Sequence, residues 1–165
     1  MVIKSDLLKF KHITACLIAW AVLCYACKTK VFPGSPEKNG NLLVTFKRTA
    51  CFGKCPTYDV NIYANGLLTY HGIRFTELEG NYYATLSKSE LEDIQRRFKD
   101  AGFEKFEVSY PPPGEAPPDL PSCVIVYGGK SVKTKWGKYP AALASLQTYL
   151  DSLWQSKKLQ KYDQP

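Results

Sequence analysis

The densest grouping of reactive and recognition residue types in this 165-residue sequence is KRTACFGKCPTYDV, residues 47–60. Two thiols, Cys51 and Cys55, are separated by Phe52, Gly53 and Lys54. Gly53 can take a positive φ and Pro56 stiffens the exit, so the segment can fold back on itself. In an oxidising compartment two such cysteines most often form a structural disulfide. The sharper alternative is a thiol-disulfide oxidoreductase, with Arg48 and Lys54 lowering a thiol pKa. The usual dithiol spacing is C-x-x-C at a helix N-terminus, however, and the spacing here is one longer. Two thiolates are too few for a closed zinc site. Arg48, Phe52, Lys54 and Tyr58 put cations and aromatic rings on a constrained backbone, which suits contact with a ligand or a protein.

The rest of the chain offers little to a catalytic mechanism. Apart from His12 near the N-terminus there is one histidine, His71, beside Gly72 near a strand end. A Ser-His-Asp or Cys-His arrangement would depend on it alone. There is no His-rich metal spacing, Walker loop or dinucleotide fingerprint. Glu77 and Glu79 read as one strand face, and Glu90, Glu92 and Asp93 as the solvated start of a helix. We therefore expect no catalytic residue, no metal and no cofactor. The formal charge is +7. Lys4, Lys9, Lys11 and Asp6 belong to an N-terminal targeting segment, and without them 19 basic and 14 acidic residues remain, a net +5. Lys130, Lys133, Lys135 and Lys138 are a local excess, but no basic stripe with a recognition module is visible, so nucleic acid is not an expected partner.

The targeting segment sets the context for the cysteines. MVIKSDLLKFKH gives a positive flank, and residues 13–26, ITACLIAWAVLCYA, give an apolar run. That run is right for a signal h-region and short of the roughly 20 residues that span a bilayer. Residues 1–26 are thus expected to be a secretory signal. Cys27 follows Leu23-Cys24-Tyr25-Ala26, an off-pattern lipobox with a suitably small Ala26. We expect Cys27 to be the lipid-modified first residue of the mature protein, with simple cleavage after Ala26 as the alternative. Two or three acyl chains would anchor it stably to a membrane. Residues 27–41, rich in Lys, Pro, Gly and Asn, read as a flexible tether.

From Leu42 the pattern becomes β. Leu42, Val44 and Phe46 alternate with their neighbours, as do Tyr58, Val60 and Ile62. A three-residue loop with Gly66 as a left-handed bulge sets Ile62 opposite Leu68 and Val60 opposite Tyr70, keeping one face apolar. Residues 72–86 continue the β region, with Gly72 and Gly80 as bends. Ser87 and Glu90 have capping-box spacing, Leu91, Ile94, Phe98 and Ala101 form one apolar stripe, and Gly102 terminates it. PPPGEAPPDLP, residues 111–121, reads as a stiff surface loop. Cys123 falls on the strand that follows, where a buried free thiol is expected. Gly128-Gly129 joins a second hairpin, Pro140 suits a first helical turn, and Leu143, Leu146, Leu150 and Leu153 stripe a closing helix.

The expected fold is α+β in the order β-β-β-β-α-β-β-α: an antiparallel sheet of about five or six strands with two amphipathic helices on one face. Residues 42–155 form a single domain and 156–165 a polar tail. The run RTACFGKCPTYDVNIYANGLLTYHG, followed by RF, a Gly, LS and a helix ending in AGF, resembles the bacterial domain of unknown function DUF6438 over about residues 42–153. Its most specific part is Cys51, Phe52, Gly53, Cys55, Pro56 and Tyr58. The resemblance implies an exported, lipoprotein-like chain and carries no established activity. The expected function is a non-enzymatic binding module of the bacterial cell envelope, its partner a small ligand or an envelope protein; a purely structural domain is a further alternative. Intact-mass measurement of the mature protein from its host is expected to show a chain beginning at acylated Cys27. An unmodified Cys27 would remove the lipid anchor.

Overall fold

A computed structural model describes residues 40–117 and 119–162. The secretory signal, Cys27 and all but the last residues of the tether lie outside the described residues. Ten strands and α-helices follow in order, with one 3-10 turn at Phe103–Lys105: β1 (Leu42–Arg48), β2 (Thr57–Tyr63), β3 (Leu67–Arg74), β4 (Gly80–Thr85), α1 (Lys88–Asp100), β5 (Ser109–Tyr110), β6 (Cys123–Tyr127), β7 (Lys130–Thr134), α2 (Ala141–Gln155) and β8 (Gln160–Lys161). The strands form one sheet in the order β5-β7-β6-β1-β2-β3-β4-β8.

The α+β class holds, while the sheet has eight strands instead of five or six and is mixed instead of wholly antiparallel. The extra strands, β5 and β8, are two-residue edge pieces too short to show a period. β5 runs parallel to β7, and β8 pairs with β4 through Tyr82 and Tyr83. The segment after α2 is thus partly built into the sheet, with Tyr162 buried behind it.

Register turns alternating side chains into rows that cross the sheet. One row reads Ala84, Leu68, Ile62, Val44 and Tyr127; the next reads Tyr82, Tyr70, Val60, Phe46, Ile125 and Val132. These side chains share a core with Ile94 and Phe98 of α1 and with Leu143, Leu146 and Leu150 of α2, so both helices cover the same face. The opposite face is polar: Thr45 Oγ1 donates to Asn61 Oδ1 at 2.9 Å, and Lys47 pairs with Asp59 at 3.1 Å. Gly66, at φ 87°, makes the expected bulge, and Val60 faces Tyr70 and Ile62 faces Leu68. Ser87 and Glu90 cap α1 reciprocally, and Glu90 also accepts from Lys157 beyond α2, tying the two helices together.

The chain departs from expectation between β3 and β4. Gly72 is not a bend, and Glu77 and Glu79 are not on a strand: β3 runs through to Arg74 and 75–79 is a loop, entered through Phe75 at φ 57°. The loop folds back over Gly72, where a Cβ would lie 1.8 Å from the Leu78 carbonyl oxygen and 2.8 Å from Thr76 Oγ1. Only glycine permits that approach. Among the described residues no helix is long and apolar enough to cross a membrane. Gly72→Ala is expected to cost about 3 kcal/mol in urea unfolding because backbone must shift. Gly128→Ala, with φ 56° but open space around it, should lose about 1 kcal/mol. Equal losses would mean that the loop is not seated on β3.

Candidate functional site

A third row crosses the inner face at the end where β1 stops. It reads Gly80, Gly72, Tyr58, Arg48, Cys123 and Thr134, and unlike the other two it is almost entirely polar or empty of side chain. α2 lies over this row. Gln147 Nε2 donates to Thr134 Oγ1 at 2.9 Å. One turn on, Asp151 Oδ2 accepts from Arg48 Nη2 at 2.5 Å and its Oδ1 accepts from the Tyr58 hydroxyl. The next turn sets Trp154 against Tyr58 and stacks it on Tyr70, ring centroids 4.4 Å apart. Residues 147, 151 and 154 follow one helical stripe, so a single face of α2 meets successive strands of the row.

The environment fixes the protonation of these groups. Burial works against the Arg48 charge, but its hydrogen bond to Asp151 and the surrounding negative potential outweigh this, and its pKa is raised. Burial, and then the hydrogen bond to Asp151, hold the Tyr58 phenol well above its ordinary value. Burial pushes the Cys123 thiol up to about 12. Cys123 is therefore a neutral thiol near neutral pH and a poor nucleophile.

Above the row opens a cleft of about 1060 Å³. Four connections surround it: 49–56, 75–79, 111–122 and 135–140. Its rim carries Phe75, 46 % exposed, and Trp136, 78 % exposed. Cys51 and Cys55 are at disulfide-bonding distance with Cα atoms 5.7 Å apart, and Cys55 and Pro56 form part of the cleft wall. The 49–56 connection is fastened to the proline-rich one by Thr49 N–H donating to the Ser122 carbonyl at 2.9 Å and by Ser122 N–H donating to Thr49 Oγ1 at 2.8 Å. The Phe52 N–H donates to the Asp119 carbonyl at 3.2 Å.

Of the four binding candidates read from the sequence, Arg48 and Tyr58 meet at Asp151 inside the cleft. Phe52, 93 % exposed, and Lys54 stand on the outer side of the disulfide loop and do not line it. Asp151, Gln147, Trp136 and Trp154 were not singled out. For two of them a signal was present: Gln147 and Asp151 are polar residues flanking the leucine stripe of α2. Among the described residues no three His, Cys, Asp or Glu side chains group to hold a metal ion.

The protein-family model described as Domain of unknown function (DUF6438) matches residues 42–154. That span takes in the whole polar row and Asp151. No curated protein matches the chain.

Asp151→Ala leaves the Arg48 guanidinium partly buried without its carboxylate, and is expected to cost about 2 kcal/mol in urea unfolding. Arg48→Met combined with Asp151→Ala should lose less than the two single changes added together. Additive losses would show that the pair is not coupled.

Proposed function

The chain belongs to the DUF6438 family, and from that premise we propose that its domain is a ligand-binding module, exported and lipid-anchored to the bacterial cell envelope through Cys27. The observation that carries the binding role is the cleft floored by Arg48, Asp151 and Tyr58. A charged pair on the inner face of a sheet forgoes apolar packing and loses part of its hydration, so it is a poor device for stability alone. Its placement under an open cleft with aromatic rings at the rim accounts for that departure as a recognition surface.

The groups in the cleft are held in forms that bind. Arg48 stays a cation, Tyr58 a phenol and Cys123 a thiol. Asp151 presents its carboxylate between a cation and a hydroxyl donor. Phe52 and Lys54, outside the cleft, offer an exposed contact to an envelope protein.

Beyond residue 26 the sequence has two tryptophans, Trp136 and Trp154, and both line the cleft. Intrinsic fluorescence of the mature protein therefore reports directly on occupancy. Titration with fractionated envelope extract from the host is expected to give a saturable shift in emission with one fraction and no shift in Arg48→Ala. A flat response to every fraction would remove the cleft as a binding site.

A further inference from the structure

Resting on that reading of the cleft, we infer that its ligand is a neutral, hydroxyl-rich molecule with an apolar face, chemically a saccharide chain. The first observation is charge. The basic and acidic side chains around the cleft are Arg48, Lys135, Glu77 and Asp151, two of each kind. Arg48 is already turned onto Asp151, and the Lys135 ammonium donates to the Pro117 carbonyl at 3.1 Å. An anion brought to the floor meets Arg48 with Asp151 immediately behind it. A cation brought to Asp151 meets Arg48. At the floor, then, neither sign finds the uncompensated opposite charge that selects ions, and Lys135 and Glu77 elsewhere around the cleft are one of each sign.

The second observation is that the floor cannot be covered by a wholly apolar ligand. Such a ligand would strip the remaining water from Arg48 and Asp151 and return nothing, which is the costly way to bury an ion pair. A hydroxyl group resolves this because it donates and accepts at once. It can donate to a carboxylate lone pair of Asp151 while accepting from a guanidinium N–H that the single bond to Asp151 leaves over. Neighbouring hydroxyls on one ring match the neighbouring acceptor and donors of a planar Asp-Arg pair. Trp154, nine-tenths buried in the cleft wall, keeps its indole N–H buried and without an acceptor among the described residues.

The third observation is the rim. Trp136 holds a large aromatic surface in water at the cleft mouth, and Phe75 is half-exposed with the Arg74 guanidinium 5.6 Å from its ring centroid. The C–H face of a pyranose ring is weakly positive and apolar, and it complements the negative face of an aromatic ring. A ligand polar at its edge and apolar on its face fits a polar floor beneath an aromatic rim. The volume, about 1060 Å³, lies just above the roughly 300–1,000 Å³ range of small-molecule sites, room for more than one ring.

The test is isothermal titration calorimetry of the mature protein with soluble chito-, cello-, xylo- and malto-oligosaccharides. A uronic-acid oligosaccharide and a sugar-free ethoxylated alkyl amphiphile run beside them. At least one neutral oligosaccharide is expected to bind saturably, with the uronate oligomer roughly tenfold weaker or worse. Trp136→Ala should weaken the neutral ligand roughly tenfold with an unchanged far-UV circular dichroism spectrum. Asp151→Asn should weaken it similarly; should that variant unfold, the exposed Trp136 position decides alone. Absence of neutral-sugar binding at millimolar concentration, affinity indifferent to Trp136→Ala, or preference for the uronate or the amphiphile would each overturn the saccharide. If an envelope fraction still shifted the tryptophan emission, the cleft would survive as a site with a different ligand; a flat emission response would remove both.

Discussion

Asp151 is where α2 is fastened to the sheet by charge. Elsewhere the helix is held by Leu143, Leu146 and Leu150, whose contacts are non-directional and would tolerate a small slide or rotation. A carboxylate that receives a guanidinium from β1 and a phenol from β2 has no such freedom, because its two acceptors are each aimed at a different strand. The position of α2 along the sheet then fixes where Gln147 finds Thr134 and where Trp154 stacks on Tyr70. The α2 side of the cleft follows from that one bond pair.

The pair itself exists because the sheet changes character along its strands. Following the inward residues, β1 reads Val44, Phe46, Arg48; β2 reads Ile62, Val60, Tyr58; β6 reads Tyr127, Ile125, Cys123; and β7 reads Val132, Thr134 toward the same end. On β1, β2 and β6 the inward face turns polar toward the long connections, whereas β7 also begins polar, at Lys130, whose ammonium donates to the Glu104 and Phe106 carbonyls. At the other end the joins are tight, built on Gly66 and on Gly128-Gly129, and the inner face there is packed core. Short turns leave no room for a cavity, whereas connections of several residues can stand around one. Gly72 belongs to this arrangement: its missing side chain lets the 75–79 loop close down on the sheet and carry Phe75 to the rim.

Much of the frame was legible in the sequence for reasons that can be named. The Ile62–Leu68 register followed from keeping one face apolar, the start of α1 from the Ser87–Glu90 capping pair, and its end from Gly102, which sits at φ 63°. β5 and β8 were not legible because two residues carry no period. Reading Gly72 as a bend failed because a strand glycine that makes room for a neighbouring backbone looks, in sequence, like a turn glycine. The site was half legible. Arg48 and Tyr58 stood out because they flank the cysteine pair, but Asp151 lies about a hundred residues away in a helix read only for its leucines. Long-range charge pairing leaves no periodic trace, and only the polar interruption of the α2 stripe at Gln147 and Asp151 hinted at it.

The Cys51–Cys55 link makes sense in the same frame. Arg48 and Tyr58 are direct register partners, yet the chain between them is the connection from β1 to β2. Left unconstrained, that connection could sample conformations over the mouth of the cleft or pull away and expose its wall. The link shortens its reach, and the bonds from Thr49 and Phe52 to Ser122 and Asp119 tie what remains to the proline-rich connection, itself stiff by composition. One wall of the cleft is therefore cross-tied by hydrogen bonds, while the rim rides on the 75–79 and 135–140 connections, which carry Phe75 and Trp136. A polar floor and a cross-tied wall thus stand together with two loop-borne rings around one cleft.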